Sequence, residues 1–198
     1  MDTKAWWNSF SDKHYGHTAD SLTVIKASPD EGFPREVREM LKKAFSGGFQ
    51  GKKVLAASSG DNMAAFAFHL LGAEVTSTDI SEKQLENASK IADAQGWKIN
   101  FVLTDTTTLS GIPNASYDLV FTSNGAHIWI NSIEKMYQTF YRALVPGGYY
   151  VFFEIHPFIH PFISRFNVEF PPRITVEKPY ELTGPFHIPN QADEYAWR

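Results

Sequence analysis

Cysteine is absent from the 198-residue sequence. Its absence excludes disulfide bonds, thiolate metal sites and thiol nucleophiles. Long apolar runs are missing too: none approaches the roughly 20 residues that span a bilayer, and the amino terminus shows no apolar stretch of a signal peptide. We therefore expect a cytoplasmic protein with no membrane partner.

Clusters of basic residues are equally scarce. The net charge is −4, and the longest basic runs are the pairs Lys42-Lys43 and Lys52-Lys53. Because clustered Lys and Arg side chains bind the backbone of nucleic acids, we expect no nucleic-acid partner. The composition is otherwise that of an ordinary globular protein, with 43% hydrophobic residues and enough length for one well-buried domain.

Strand and helix patterns alternate through most of the chain. Five short apolar runs predict strands that start near residues 53, 74, 99, 117 and 149, and helical patterns separate most of them. Strands joined by helical crossovers form a mainly parallel sheet with helices on both faces. The predicted fold class is thus α/β, Rossmann-like and doubly wound, in three parts of one domain: an irregular or short-helical lead-in or lid (1–33), a core (34–155), and a cap or arm rich in proline and aromatic residues (156–198).

Capping signals predict two of the helix starts. Ser81 with Gln84, and Asn131 with Glu134, have the spacing of a capping box, and Gly96 is placed to end the first of these helices. In the second helix, the apolar spacing predicts a buried face that consists of Ile133, Met136, Tyr137, Phe140, Tyr141 and Leu144.

Ligands of doubly wound sheets bind beyond the carboxyl ends of the strands, where the strand order reverses. The small polar loop 58–62 follows the first strand and opens a helix, whose unpaired amide groups can hold an anionic ligand group. Asp79 ends the second strand about 20 residues after Gly60, where nucleoside-binding folds place an acid for the ribose hydroxyls. Together the loop and the acid indicate a cofactor site.

At these positions the predicted core resembles the class I S-adenosylmethionine-dependent methyltransferases. The family's first strand and loop usually contain a hydrophobic pair, an acid and alternating glycines. Here the matching run is Val54–Asn62, in which only Gly60 remains as a glycine. Ser58 and Asn62 occupy the other glycine positions, and Ala56 replaces the acid that helps to hold the methionine ammonium group.

Later segments match the family more fully. In the family, the second strand ends in an acid that binds ribose, the third ends in an acid that reads the adenine amino group, and the end of the fourth lines the methyl-transfer site. The second, third and fourth predicted strands of this sequence resemble them, and Pro146-Gly147-Gly148 resembles the turn before the fifth strand. The resemblance implies S-adenosyl-L-methionine as the cofactor. It also implies these cofactor-binding residues: Ser58, Ser59, Gly60, Asn62, Asp79, Ile80, Asp105, Thr106, Ser123 and Asn124.

For the methyl acceptor we predict a small molecule. His127 follows the fourth strand and is the first candidate for a general base, which is useful if the acceptor is a hydroxyl or a protonated amine. Trp129, Glu154 and His156 are further candidates for contact with the substrate. We expect His127 and Glu154 to face a substrate cavity, because burying either side chain unpaired would cost several kcal/mol.

A metal site is not expected. His156 and His160 have a spacing that would place them on one face of a helix, but Pro157 and Pro161 make a regular helix improbable there. Histidines in a polar loop near a pocket are the better interpretation.

Two other functions fit parts of the pattern. A nicotinamide-dependent oxidoreductase would share the loop and the ribose acid, but its G-x-G-x-x-G motif needs three glycines, and the chain supplies only Gly60 there. A catalytically inactive S-adenosylmethionine-binding or regulatory module would retain the fold. The incomplete first motif favours this second alternative somewhat.

The end of the chain predicts a departure from the family. After the fifth strand, the family adds a helix and an antiparallel hairpin that inserts into the sheet, whereas residues 156–198 contain no convincing helix. We therefore expect that hairpin to be missing. The chain would then be either truncated or covered by a partner, as in a homodimer, because an exposed sheet edge invites pairing.

Overall fold

A computed structural model describes residues 2–14, 18–60, 63–123, 125–154, 186–187 and 195–196. The helices are α1 (Thr3–His14), α2 (Thr18–Ala27), α3 (Arg35–Ala44), α4 (Met63–Leu70), α5 (Glu82–Gln95) and α6 (Ile133–Ala143). The strands are β1 (Lys53–Ala56), β2 (Glu74–Asp79), β3 (Asn100–Leu103), β4 (Tyr117–Ser123), β5 (Leu144–Phe153), β6 (Phe186–His187) and β7 (Tyr195–Ala196). Short 3₁₀ turns cover Pro29–Gly32 and Ala126–Trp129.

The first five strands form one parallel sheet in the order β3-β2-β1-β4-β5. Strand β1 pairs with both β2 and β4, so the strand order reverses beside β1. The predicted doubly wound α/β fold is confirmed. A ligand site is therefore expected at the carboxyl ends of β1 and β4.

Strand β1 shows why the sheet is covered on both sides. Val54 and Ala56 belong to the apolar cluster under α3 and α4, whereas Leu55 belongs to the cluster under α6. All three are at most 1% exposed. Successive side chains of a strand point to opposite faces, so a continuous apolar run is typical of a central parallel strand.

The predicted capping of α5 is confirmed. Oγ of Ser81 accepts a hydrogen bond from the backbone N–H of Gln84 at 3.2 Å. Gly96 ends the helix in the left-handed conformation, with φ of 68°, which glycine adopts without steric cost.

The start and the buried face of α6 differ from the prediction. Ser132, not Asn131, precedes the first helical residue, and its side chain makes no capping bond. Tyr141 is 85% exposed and Tyr137 is 43% exposed, so neither belongs to the buried face. The helix buries Met136, Phe140 and Ala143, whose spacing follows the 3.6-residue repeat. Tyr137 lies at the margin of this face, against Tyr150 of β5, and Tyr141 faces away from it.

The lead-in segment is more regular than the sequence pattern indicated, because α1 and α2 cover most of its described residues. Helix α1 packs against α5. None of the helices described has the length and apolar content that a membrane crossing requires.

Residues 155–185 and 188–194 lie outside the described part of the chain. The pair β6 and β7 is antiparallel and forms a sheet of its own. The absence of the family's terminal hairpin from the main sheet stays a prediction.

Candidate cofactor and substrate site

The loop after β1 is held by the carboxyl end of β2. One carboxylate oxygen of Asp79 accepts the backbone N–H of Gly60 at 2.9 Å, and the other accepts the N–H of Ser81 at 2.8 Å. The backbone N–H of Ser59 donates to the carbonyl of Thr78 at 2.9 Å. Asp79, which is 8% exposed, therefore joins the β1 loop to the start of α5.

Gly60 occupies a position where a larger residue would not fit. Its φ is 52°, and a Cβ atom at this position would lie 2.6 Å from Oε1 of Gln84. Gln84 is buried, so its side chain forms a wall beside the loop. Both the left-handed backbone and this close approach favour glycine, which is consistent with the glycine of the motif at this position.

Ser58 stands where the family has a glycine, and it adopts a positive φ of 48°. Its Oγ lies 2.7 Å from Oγ1 of Thr106 after β3. Thr106 is buried, and its carbonyl accepts a bond from Oγ1 of Thr139 at 2.7 Å. The serine thus connects the loop to the end of β3, a contact that glycine could not make.

Asp105 lies beside Thr106 and is exposed. Its Oδ1 accepts bonds from the backbone N–H and the hydroxyl of Thr107, both at 2.7 Å. These bonds orient the carboxylate at the end of β3. Ile80 is half-buried next to Asp79.

The groups at this edge fit S-adenosylmethionine by type. Asp79 and Asp105 follow neighbouring strands and suit the ribose hydroxyls and the adenine amino group; a carboxylate accepts about four hydrogen bonds, so the loop contacts do not exclude a ligand. The hydroxyl of Ser59 is buried and has no hydrogen-bond partner among the residues described. Ala56 is a buried apolar residue, so no acid from this position contacts the methionine ammonium group.

Four polar side chains come together at the ends of β4 and β5. The backbone N–H of His127 donates to Oε1 of Glu154 at 3.1 Å, and Nδ1 of His127 lies 3.8 Å from the same oxygen. On the other side of the ring, Nε2 lies 2.8 Å from Oη of Tyr150. That phenol oxygen is also 2.8 Å from Oγ1 of Thr122.

Burial changes the acid-base properties of this group. The side chains of His127 and Glu154 are 18% and 10% exposed. Burial lowers the pKa of His127 below its usual range, which favours the neutral imidazole. Burial also raises the pKa of Tyr150, so its hydroxyl keeps its proton.

An aromatic cluster joins α1 to the turn that carries His127. Trp129 stacks on Trp6 with ring centroids 4.7 Å apart, and it meets Trp7 edge-on at 5.3 Å. Trp6 also stacks on Phe10 at 4.6 Å. Helix α1 is thereby fixed above the end of β4.

Polar contacts fix the same helix to the start of α5. Oδ1 of Asn8 accepts bonds from Oγ of Ser81 at 2.6 Å and from the N–H of Lys83 at 3.3 Å, and Nδ2 donates to Glu82 at 3.1 Å. Lys4 pairs with Glu82 as well. Hydrogen bonds from Lys4 and Asn8 help to lower the pKa of Glu82 to about 2. Helix α1 therefore bridges both halves of the site.

The structure brings most of the predicted residues to one edge of the sheet, in two groups. The loop residues, Asp79 and Thr106 form one group, and His127 with Glu154 forms the other. Ser123 ends β4, next to the second group. Asn62, Asn124 and His156 lie outside the residues described, so their predicted contacts stay predictions.

Sequence reasoning did not single out Tyr150 or Thr122. Both lie within strands that were predicted as apolar, and a hydroxyl group in such a strand does not by itself indicate a functional residue. A signal was available: both side chains belong to residues near the carboxyl ends of their strands. Their contact depends on the register that pairs Val120 with Tyr150, which the sequence alone does not specify.

Comparisons with known proteins find similar methyltransferases. A family described as a methyltransferase domain matches residues 54–148. An S-adenosylmethionine-dependent methyltransferase from Mesorhizobium loti, known from its crystal structure, is 28% identical, with a TM-score of 0.55 over 66% of this chain and 56% of that one.

Two curated proteins are similar in sequence. The uncharacterized methyltransferase YbaJ of Bacillus subtilis is 27% identical over 148 residues, which is 75% of this chain and 51% of that protein. Demethylmenaquinone methyltransferase of Thermus thermophilus is 31% identical over 103 residues, 52% of this chain and 46% of that protein. The chain thus spans about half the length of the curated relatives it matches.

Proposed function

The chain belongs to the class I S-adenosylmethionine-dependent methyltransferases, and from that premise we propose that it transfers a methyl group from S-adenosyl-L-methionine to a small-molecule acceptor. The observation that carries the proposal is the Asp79 contact with Gly60 and Ser81, which holds the β1 loop against the end of β2 despite the incomplete glycine motif. The nearby pair of His127 and Glu154 would provide a polar site for the acceptor.

The first group would hold the cofactor. Asp79 would accept hydrogen bonds from the ribose hydroxyls, Ile80 would lie against adenine, and Asp105 with Thr106 would contact the adenine amino group. The loop at residues 58–60 would lie beside the methionine part. S-adenosylmethionine, when bound, supplies a methyl group that is already activated by the positive charge of its sulfur.

The second group would orient and deprotonate the acceptor. A methyl transfer of this kind depends largely on in-line orientation and exclusion of water. Because burial keeps His127 neutral, the imidazole can accept a proton from a hydroxyl or ammonium group as the acceptor attacks. Glu154 beside Nδ1 would stabilise the imidazolium that results.

Helix α1 would act as a lid. It contacts Ser81 beside the ribose acid and Trp129 beside His127, so it spans the two groups. A lid at this place would exclude water from the transferring methyl group. The charge of −4 supports a small molecule rather than a nucleic acid as the acceptor.

The first prediction concerns cofactor binding by Asp79. We expect Asp79→Ala to weaken binding of S-adenosylhomocysteine, measured by calorimetry, by about tenfold to several hundredfold, since hydrogen bonds to a charged group contribute roughly 1.5–3 kcal/mol each. Asp79→Asn keeps the side-chain shape and should lose less. Asp118→Asn is the matched control, because Asp118 binds Lys52 and Lys53 near the amino end of β1.

Two results would contradict the proposal. Tight binding of NAD without any response to S-adenosylmethionine would favour the oxidoreductase. Binding of the cofactor with no methyl transfer to any member of a metabolite panel would favour the inactive module.

A further inference from the structure

The hydrogen-bond chain Thr122–Tyr150–His127–Glu154 has a preferred direction. Nδ1 of His127 faces Oε1 of Glu154 at 3.8 Å, too long for a hydrogen bond but close enough for a strong electrostatic effect. A carboxylate at this place favours a proton on Nδ1 and disfavours a lone pair there. In the neutral imidazole, Nε2 then carries the lone pair and accepts a hydrogen bond.

Tyr150 supplies the matching donor. Its Oη is 2.8 Å from Nε2, and burial keeps the phenol protonated. The same oxygen is 2.8 Å from Oγ1 of Thr122, whose hydroxyl can donate to it. Thr122 is 1% exposed, so water does not compete for this bond. Both hydroxyl groups of this hydrogen-bond chain therefore have an acceptor when Thr122 donates to Tyr150 and Tyr150 donates to His127.

We propose that Tyr150 is a positioning residue, whose hydroxyl group, supported by Thr122, holds the His127 ring in place and in the tautomer with its proton on Nδ1. The inference rests on the proposed function only in that it makes His127 the proton acceptor. Fixing the tautomer leaves Nε2 as the basic nitrogen. It also keeps Nδ1–H toward Glu154, where the charge of an imidazolium is stabilised.

The same chain accommodates His127 after it has taken up a proton. Nε2–H then donates to Oη of Tyr150, and the hydroxyl of Tyr150 turns to donate to Thr122. A phenol and a threonine hydroxyl can each act as donor or acceptor, so the hydrogen bond between Nε2 and Tyr150 can be made in both protonation states. A phenylalanine or a lysine at position 150 could not serve both protonation states.

Among the residues described, the titratable groups that contact the ring are Tyr150 of β5, Glu154 directly after β5, and Tyr137 of α6, whose ring centroid is 6.0 Å away. Phe152 packs against the ring at 5.3 Å. Tyr150 is therefore the group whose hydrogen bond to Nε2 selects the tautomer together with Glu154.

The second prediction tests this inference by ¹⁵N NMR of the full chain without cofactor or acceptor. The ¹⁵N shifts of the imidazole distinguish the two tautomers directly, and His127→Gln identifies the His127 signals among the seven histidines. We expect the Nδ1–H tautomer in the wild type. Tyr150→Phe should convert a large part of His127 to the Nε2–H tautomer, since it removes the donor but keeps the ring that packs on Phe140 at 4.9 Å.

Two further variants sharpen the test. Thr122→Val should leave the tautomer unchanged, because Tyr150 can still donate to His127. Tyr149→Phe is the matched control: the adjacent tyrosine of β5 is 47% exposed and contacts Phe45. We expect no change in the His127 signals of that variant.

A wild-type protein with its proton on Nε2 would overturn the inference, even if Tyr150→Phe failed to fold. So would a folded Tyr150→Phe variant with the wild-type tautomer. Neither measurement needs methyl transfer, so loss of cofactor binding contradicts the proposed function while the tautomer result stands separately.

Discussion

His127 connects the stability of the protein to pH. Burial lowers its pKa in the folded state, so as the pH falls from about 6.5 the unfolded chain takes up a proton before the folded chain does. This contribution to stability is present above the usual histidine pKa and is lost as the pH falls through the lowered value. We expect the free energy of unfolding to decrease in that range.

The third prediction follows from this sign. In urea unfolding between pH 7.5 and 5.5, the free energy of unfolding of His127→Gln should fall less on acidification than that of the wild type. The difference corresponds to the uptake of up to one proton per molecule on unfolding. The affinity for S-adenosylhomocysteine should stay within about threefold, since we place His127 in the proposed acceptor site and not among the proposed cofactor residues. A variant that loses cofactor binding would place His127 in the cofactor site or the scaffold instead.

Single residues of the proposed cofactor site were predictable to different degrees. Asp79 and Gly60 were singled out because the end of a strand and a positive φ both restrict the residue type. The role of Ser58 was not visible in the sequence. Its strained backbone is compatible with serine because Thr106 provides a hydrogen bond across to β3, and that neighbour is determined only by the sheet register.

Among the elements, α5 was predictable at both ends. The side chain of Ser81 accepts a hydrogen bond from a terminal backbone N–H, and Gly96 adopts the left-handed conformation that ends the helix. Helix α6 was predicted less well. Its aromatic residues are spread around the helix, and apolar spacing alone does not show that Tyr141 faces away from the sheet. The sequence left the α1 segment open as irregular or short-helical, because this helix depends on contacts with distant residues, among them Trp129 and Glu82.

The fourth prediction tests how α1 is fixed. Asn8→Ala removes three hydrogen bonds to the start of α5, each with a net value of about 0.5–1.5 kcal/mol. We expect amide hydrogen exchange in α1 to rise by roughly tenfold or more, with little change in β1 and β4. The control is Ser9→Ala, because Ser9 is exposed and its hydroxyl donates to the carbonyl of Trp6 within α1.

Unchanged exchange in α1 of the Asn8→Ala variant would mean that the aromatic cluster alone holds the helix. In that case Trp129→Ala should produce the increase instead, because it removes the ring that stacks on Trp6. If exchange rose throughout the sheet, α1 would be part of the core rather than a lid.

For the molecule as a whole, stability depends on covering both faces of the sheet. The face under α6 relies on few large side chains, and Phe140 is among the largest that are fully buried. It also contacts Tyr150, so the apolar core under α6 and the polar chain at His127 share a boundary. A loss of packing there should affect both.

The fifth prediction compares two adjacent aromatic residues of α6. Phe140→Ala should lower the free energy of unfolding by about 3–5 kcal/mol, because it leaves a cavity in a core whose other residues cannot fill it. Tyr141→Ala should change it by no more than about 0.5 kcal/mol, since that side chain is 85% exposed. Both substitutions exchange a large aromatic residue for alanine in the same helix, so helix propensity affects them alike. Equal losses in urea unfolding would mean that Tyr141 is covered in solution, as the apolar spacing of the sequence first predicted.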